Sequence, residues 1–212
     1  MTIIYSHKKL ADRNHADFYP TPIELCLASV KLVPNLSTPF TALDVGAGDG
    51  VWGKALKSLY NNIHLTGIDI REDAMFDWEL FNNSIRGNIL VHAYDSDMRG
   101  DFMEHDRKYD LIFGNIPFRH ATEFIQHSLD LLTDNGIILY LLRSAISESK
   151  KRYDLFYNNG HKPIYEYQSV RRISFTGNKK SDNTAYSIFI WEKKKDFQRE
   201  TVKRWLDWEY EK

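Results

Sequence analysis

Short apolar runs alternate along this chain with stretches whose apolar residues recur every three or four positions, the periodicities of buried strands and of amphipathic helices. After a polar arm, residues 1–17, the segment Tyr19-Pro20-Thr21-Pro22 leads into a helix over Ile23 to Val33, since proline suits an opening turn. A strand at Thr41 to Val45, the cluster Gly46-Ala47-Gly48-Asp49-Gly50 and a helix at Val51 to Tyr60 follow. The pattern then predicts a strand from His64 to Ile70, a helix near Ala74 to Asn82, and strands at Ile89 to Ala93 and Tyr109 to Phe113. Helix Ala121 to Leu132 turns through Asp134-Asn135-Gly136 into strand Ile137 to Leu142. Nearly all-apolar strands alternating with helices imply a parallel sheet covered on both faces, a doubly wound α/β domain. Beyond it, Ile164 to Phe175 and Tyr186 to Trp191 read as two strands joined by the polar loop Gly177 to Thr184. Residues 196–212 read as a closing helix whose Phe197, Val202, Trp205 and Leu206 pack on the sheet. No repeat or linker divides the chain, so residues 1–212 read as a single domain.

With 42% apolar and 14% aromatic residues among 212, the chain can bury a substantial interior. Its one cysteine, Cys26, lies in an apolar helical stripe and forms no internal disulfide, which suits a reducing compartment and the cytoplasm. No apolar run approaches the roughly 18 residues of a membrane span. The net charge of -1 conceals an asymmetry: residues 1–142 hold 12 Lys and Arg against 19 Asp and Glu, while residues 143–212 hold 16 against 10. Lys150-Lys151-Arg152, Arg171-Arg172, Lys179-Lys180 and Lys193-Lys194-Lys195 are therefore candidate phosphate contacts.

Ligands of open parallel sheets bind beyond the carboxyl ends of the strands, so strand-ending residues carry the chemistry. The glycines of Asp44-Val45-Gly46-Ala47-Gly48-Asp49-Gly50 let backbone approach a ligand, and a helix N-terminus follows. Asp69 ends the next strand 25 residues after Asp44, where a carboxylate accepts hydrogen bonds from ribose hydroxyls. Gly48-x-Gly50-x-x-Gly53 matches the dinucleotide fingerprint literally, but starts too late after the strand. An acid at Asp44 suits a cofactor bearing an ammonium group, as S-adenosylmethionine does. His120, Glu123 and His127 share a helical face but lack further ligands, so they read as a solvated face and no metal is expected.

Leu43 to Gly50 resembles motif I of class I S-adenosylmethionine-dependent methyltransferases, and Gly67-Ile68-Asp69-Ile70 resembles their motif II. Gly100-Asp101-Phe102-Met103 resembles motif III, with Asp95 and Asp97 as rivals to Asp101 for the cofactor's adenine amine. Tyr109 to Phe118, ending in Asn115-Ile116-Pro117-Phe118, is similar to the stretch holding motif IV of adenine amino-methyltransferases. Tyr19-Pro20-Thr21-Pro22 resembles motif X of the gamma-ordered DNA enzymes, and Arg172 to Phe175, Gly177 and Tyr186 to Trp191 resemble the last strands of phage-type adenine methylases. The resemblance implies a Rossmann-like, mostly parallel seven-stranded sheet with a C-terminal antiparallel hairpin. It assigns the cofactor to Tyr19, Thr21, Asp44, Gly46, Gly48, Asp69, Ile70, Asp101, Phe102 and Asn115. Ile116 departs from the usual proline of the DNA enzymes and makes the motif similar to that of ribosomal RNA adenine dimethyltransferases.

The resemblance implies transfer of a methyl group to the exocyclic amine of adenine in nucleic acid, DNA ahead of RNA. That amine is a poor nucleophile because its lone pair is delocalised. Two acceptors, the Asn115 side-chain oxygen and the Ile116 carbonyl, localise it, Pro117 holds them in place and Phe118 stacks on the base. An RNA substrate, a catalytically silent cofactor-binding subunit, and a glutamine or small-molecule substrate remain open. With little room for a target-recognition domain, sequence specificity falls to the arm, the loop Gly177 to Thr184 or a partner specificity subunit.

Overall fold

The computed structural model describes residues 20–34, 36–69, 79–86, 107–175 and 183–208. The expectations for the arm, Tyr19, Ile70, the strand at 89–93, Asp95, Asp97, Asp101, Phe102 and most of the loop 177–184 lie outside the described residues. Helix α1 (Ile23–Val30) follows Pro22, and strand β1 (Phe40–Val45) runs through a glycine turn into α2 (Val51–Leu59). Strands β2 (Ile63–Asp69), β3 (Asn83–Arg86) and β4 (Tyr109–Gly114) precede α3 (Ala121–Leu131) and β5 (Leu132–Arg143). A short helix α4 (Lys150–Tyr153), continued as a π-turn over Asp154–Asn158, leads to β6 (Tyr165–Ser169), β7 (Tyr186–Glu192) and β8 (Val202–Leu206).

The eight strands form one sheet in the order β3-β2-β1-β4-β5-β7-β6-β8. β1 to β5 pair in parallel, and β7 lies antiparallel to both β5 and β6. This is a Rossmann-like, mostly parallel sheet with an antiparallel hairpin, with eight strands among the described residues where seven were expected. Successive residues of the central strands serve opposite cores: Leu139 and Leu141 join Leu25, Trp52 and Phe113 on one face. Ile138, Tyr140 and Leu142 join Ile112, Ile125 and Trp191 on the other. Both faces being dry, the strands read as continuous apolar runs.

Three elements differ from expectation. Residues 201–206 are not helical: β8 pairs in parallel with β6, Tyr165 opposite Val202 through Ser169 opposite Leu206. The open edge of β6 offers a row of backbone groups that a helix would leave without protein partners, and this outweighs the helical spacing. Of the apolar stripe expected on that helix only Leu206 is buried; Trp205 is 71% exposed. β3 is a polar tetrad, Asn-Ser-Ile-Arg, without apolar alternation, and it exists through pairing with β2; Glu79 to Asn82, just before it, are turn and coil, not helix. The expected turn at Asp134 to Gly136 is a bulge inside β5, where Tyr109 faces Leu132 but Leu111 faces Ile137. Among the described residues no helix is long and apolar enough to cross a membrane.

Candidate active site

Strand order reverses between β1 and β4, and their carboxyl ends form the crevice in which such sheets hold ligands. On the β1 side, Gly46 adopts φ +70°, and its N–H and that of Ala47 both donate to the Ile68 carbonyl, at 2.9 and 3.0 Å. A Cβ at Gly46 would lie 3.4 Å from the Asn115 carbonyl oxygen, so the glycine turn after β1 closely faces the backbone after β4. Two carboxylates brace the turn. Asp69 Oδ2 accepts from the Gly48 N–H at 2.8 Å, and Asp44 Oδ2 accepts from the Gly53 N–H in the first turn of α2 at 3.0 Å.

Asp44 is wholly buried, and its Oδ1 has no hydrogen-bond partner. Burial pushes its carboxyl up to about 8 from the usual 3.8, opposed by the Gly53 N–H and reinforced by Asp69. A buried acceptor left over beside a glycine turn fits a cofactor's cationic amine, which would return the carboxyl to its ionised form. The folded chain without ligand retains this proton up to about pH 8, whereas the unfolded chain releases it near 3.8. Because the native state then binds more protons, this group's contribution to stability is full at low pH and is lost as pH rises through that interval. Thermal unfolding between pH 5 and 9 is expected to show Asp44→Asn gaining stability over wild type as pH rises. A pH-independent difference would contradict the assignment.

On the β4 side, Asn115 follows Gly114. Its Nδ2 donates to Thr21 Oγ1 at 3.2 Å, and the same hydroxyl accepts from Trp52 Nε1 at 3.3 Å. Trp52 is buried and packs edge-on against Phe113, the residue before Gly114. An amide that donates through Nδ2 to Thr21 turns Oδ1 to its opposite side. Ile116 buries its side chain among Leu43, Ile112, Ala121 and Ile138, which accounts for an aliphatic residue there. The Pro117 carbonyl accepts from the His120 N–H at 3.1 Å and opens a 3-10 turn, Phe118–His120. The Phe118 ring lies 5.4 Å from that of Tyr186, and the Arg143 guanidinium sits over it at 5.3 Å.

Asp44, Gly46, Gly48, Asp69, Thr21, Asn115 and Phe118 thus come from four separate segments to one edge of the sheet. Trp52 was not anticipated, although a buried tryptophan N–H usually finds an acceptor. Arg143 was missed too, although it is the carboxyl-terminal residue of β5. The basic clusters separate by edge. Arg171 and Arg172 follow the end of β6 beside Tyr186, on the crevice side. Lys193 to Lys195 follow β7 at the opposite edge, where Lys193 Nζ donates to the Leu132 carbonyl at 2.8 Å, so they face away from the crevice and are withdrawn as phosphate contacts of this site; Lys179 and Lys180 lie outside the described residues.

The sequence profile of the methyltransferase small domain matches residues 24–159. No curated protein matches the sequence. Among solved structures, the chain resembles an Agrobacterium tumefaciens protein predicted to be an O-methyltransferase (TM-score 0.60, 12% identity, covering 86% of this chain and 85% of that one). It also resembles a Listeria monocytogenes protein described as a class I S-adenosylmethionine-dependent methyltransferase (TM-score 0.65, 12% identity, 93% and 69%). A third likeness is to the methyltransferase subunit of a type I restriction-modification system from Streptococcus thermophilus (TM-score 0.61, 13% identity, 82% and 44%), of which this chain spans less than half the length. The chain belongs to the methyltransferase small domain family, and S-adenosylmethionine is its cofactor.

Proposed function

We propose that the chain methylates the exocyclic amine of adenine in nucleic acid, with DNA favoured over RNA. One observation carries this reading: the Asn115 amide is anchored through Nδ2 to Thr21 at the carboxyl end of β4, and its backbone faces the glycine turn. S-adenosylmethionine, when bound, supplies an electrophilic sulfonium methyl group. Asp44 Oδ1, the turn Gly46 to Gly48 and Asp69 would hold it, together with Tyr19, Thr21, Ile70, Asp101, Phe102 and Asn115.

Asn115 Oδ1 and the Ile116 carbonyl each accept one hydrogen of the amine, concentrating its lone pair on nitrogen as positive charge develops there. Replacing the usual proline by Ile116 retains that carbonyl. Pro117 limits backbone freedom between the acceptors and Phe118, whose ring offers a stacking surface to a base taken out of its strand. Transfer is direct, and Cys26, buried in α1 with its thiol pushed up by burial, takes no part as a nucleophile.

A DNA substrate is supported by the order motif X, motif I, motif IV along the chain and by the likeness to a type I restriction-modification methyltransferase subunit. Ile116 favours RNA as a second reading. The deciding experiment incubates the purified chain with labelled cofactor and duplex DNA, single-stranded DNA or structured RNA, then identifies modified nucleosides by mass spectrometry. Methyladenine is the expected product. Methylcytosine contradicts the reading, and a chain that binds cofactor but labels nothing is a silent subunit.

A further inference from the structure

The carboxyl end of β5 carries a feature that the proposed transfer chemistry does not use. Next to Phe118 lies a pocket of about 190 Å3 lined by Ala121, Leu142, Arg143, Glu148 and Arg152. Its base is apolar and its rim holds two guanidinium groups against one carboxylate. From the geometry we infer that this pocket binds a backbone phosphodiester of the nucleic acid, with Arg143 as the residue that positions it; the inference rests on the nucleic-acid reading above.

Arg143 is exposed and is held at its backbone by pairing with Tyr186. Among the described residues it has no carboxylate at ion-pair distance, unlike other cations of this edge. Lys150 pairs with Asp154, Lys151 with Glu123 and Arg171 with Asp207. Instead its guanidinium lies over the Phe118 ring. A guanidinium over an aromatic face gains cation–π attraction without using its N–H groups, which stay available to grip phosphate through two parallel hydrogen bonds.

Arg152 supports the same rim. Its Nη1 donates to the Ala145 and Glu148 carbonyls at 3.4 and 3.3 Å, closing the turn Ser144–Ser147 against α4. Between these elements Ser149 adopts φ +143°, a conformation that side-chain-bearing residues seldom hold, and its hydroxyl accepts from the Arg152 N–H. Strain of this kind persists where surrounding structure imposes it, and here it sets the direction in which the chain leaves the pocket. Since Phe118 is both a wall of the pocket and a neighbour of Asn115 in sequence, an anion held here registers the strand against the proposed catalytic amide.

The test is fluorescence anisotropy of one adenine-containing single-stranded oligonucleotide, made as DNA and as RNA, titrated with the whole chain between 50 and 200 mM salt. Arg143→Met keeps an apolar stem on Phe118 and removes the charge. It is expected to weaken binding about tenfold at low salt and to reduce the slope of log K against log salt by about 0.7, the value for one single-strand phosphate contact. Arg143→Lys is expected to retain the slope and lose part of the affinity. Lys194→Met, which removes equal charge at the far edge, is expected to change neither. Thermal unfolding verifies that each variant folds. Unchanged slope and affinity in Arg143→Met, an equal loss in Lys194→Met, a loss confined to RNA, or no binding by wild type would each overturn the site. If Arg143→Met loses binding while wild type methylates no adenine, the phosphate site stands and the adenine reading fails.

Discussion

Replacing Asn115 with alanine is expected to lower methyl transfer about a hundred- to a thousandfold, the scale found when one polar group aimed at developing charge is removed from a catalytic site. The fold is expected to persist, because Asn115 is half-buried at the end of β4 and its bond to Thr21 joins two chain segments outside the two apolar cores. Single turnovers at saturating cofactor are the proper measurement, since Asn115 is also assigned to cofactor binding and a weakened hold would otherwise enter the rate. Asn115→Asp separates the acceptor from the amide: it keeps an oxygen and surrenders the donor to Thr21, so it should fall between wild type and alanine. Thr21→Val removes the anchor alone and is expected to cost about tenfold, the worth of one neutral hydrogen bond, while Thr21→Ser restores it. Undiminished transfer by Asn115→Ala would leave the amine without the acceptor this mechanism requires.

The parts of this site that were legible in the sequence are those that backbone geometry restricts. Gly46, Gly48 and Gly50 all have positive φ, which side chains resist, so the turn between β1 and α2 is written in glycine. Asp44 and Asp69 were legible because each is an acid at or next to the carboxyl end of a short, nearly continuous apolar run. The network behind Asn115 was not, because Thr21 stands 94 residues from Asn115 and 31 from Trp52, and no local pattern encodes which acceptor a buried indole finds. β8 was misread for a related reason. Its choice between helix and strand is made by the unpaired edge of β6, a partner more than thirty residues away. Arg143 lies between these cases: the rule that strand ends carry function points to it, but its significance comes from the Phe118 ring beneath it.

Gly114 gives the second large effect, and here the cause is backbone. It holds φ +141°, and a Cβ there would lie 2.4 Å from the Val45 carbonyl oxygen and 3.3 Å from the Val45 nitrogen. Neither strand can easily give way. β1 is paired on both sides, to β2 and β4, and the Gly46 and Ala47 N–H groups are tied to Ile68. Gly114→Ala must therefore separate the end of β4 from β1, drawing Asn115 away from Gly46 and Thr21. Overpacking and a disallowed φ together imply a loss of about 3 kcal/mol or more, which for a chain of this size is a fall in Tm of about 6–12 °C. Gly160→Ala is the comparison, since Gly160 also has positive φ but the nearest atoms to its Cβ, at 3.1–3.2 Å, belong to the ring of Phe197, which is 57% exposed and can move. It should cost about 1 kcal/mol and leave transfer intact. If the two variants unfold alike and both remain active, the close approach of β1 and β4 does not hold the two halves of the site together, and the juxtaposition of Asn115 with the glycine turn loses its structural basis.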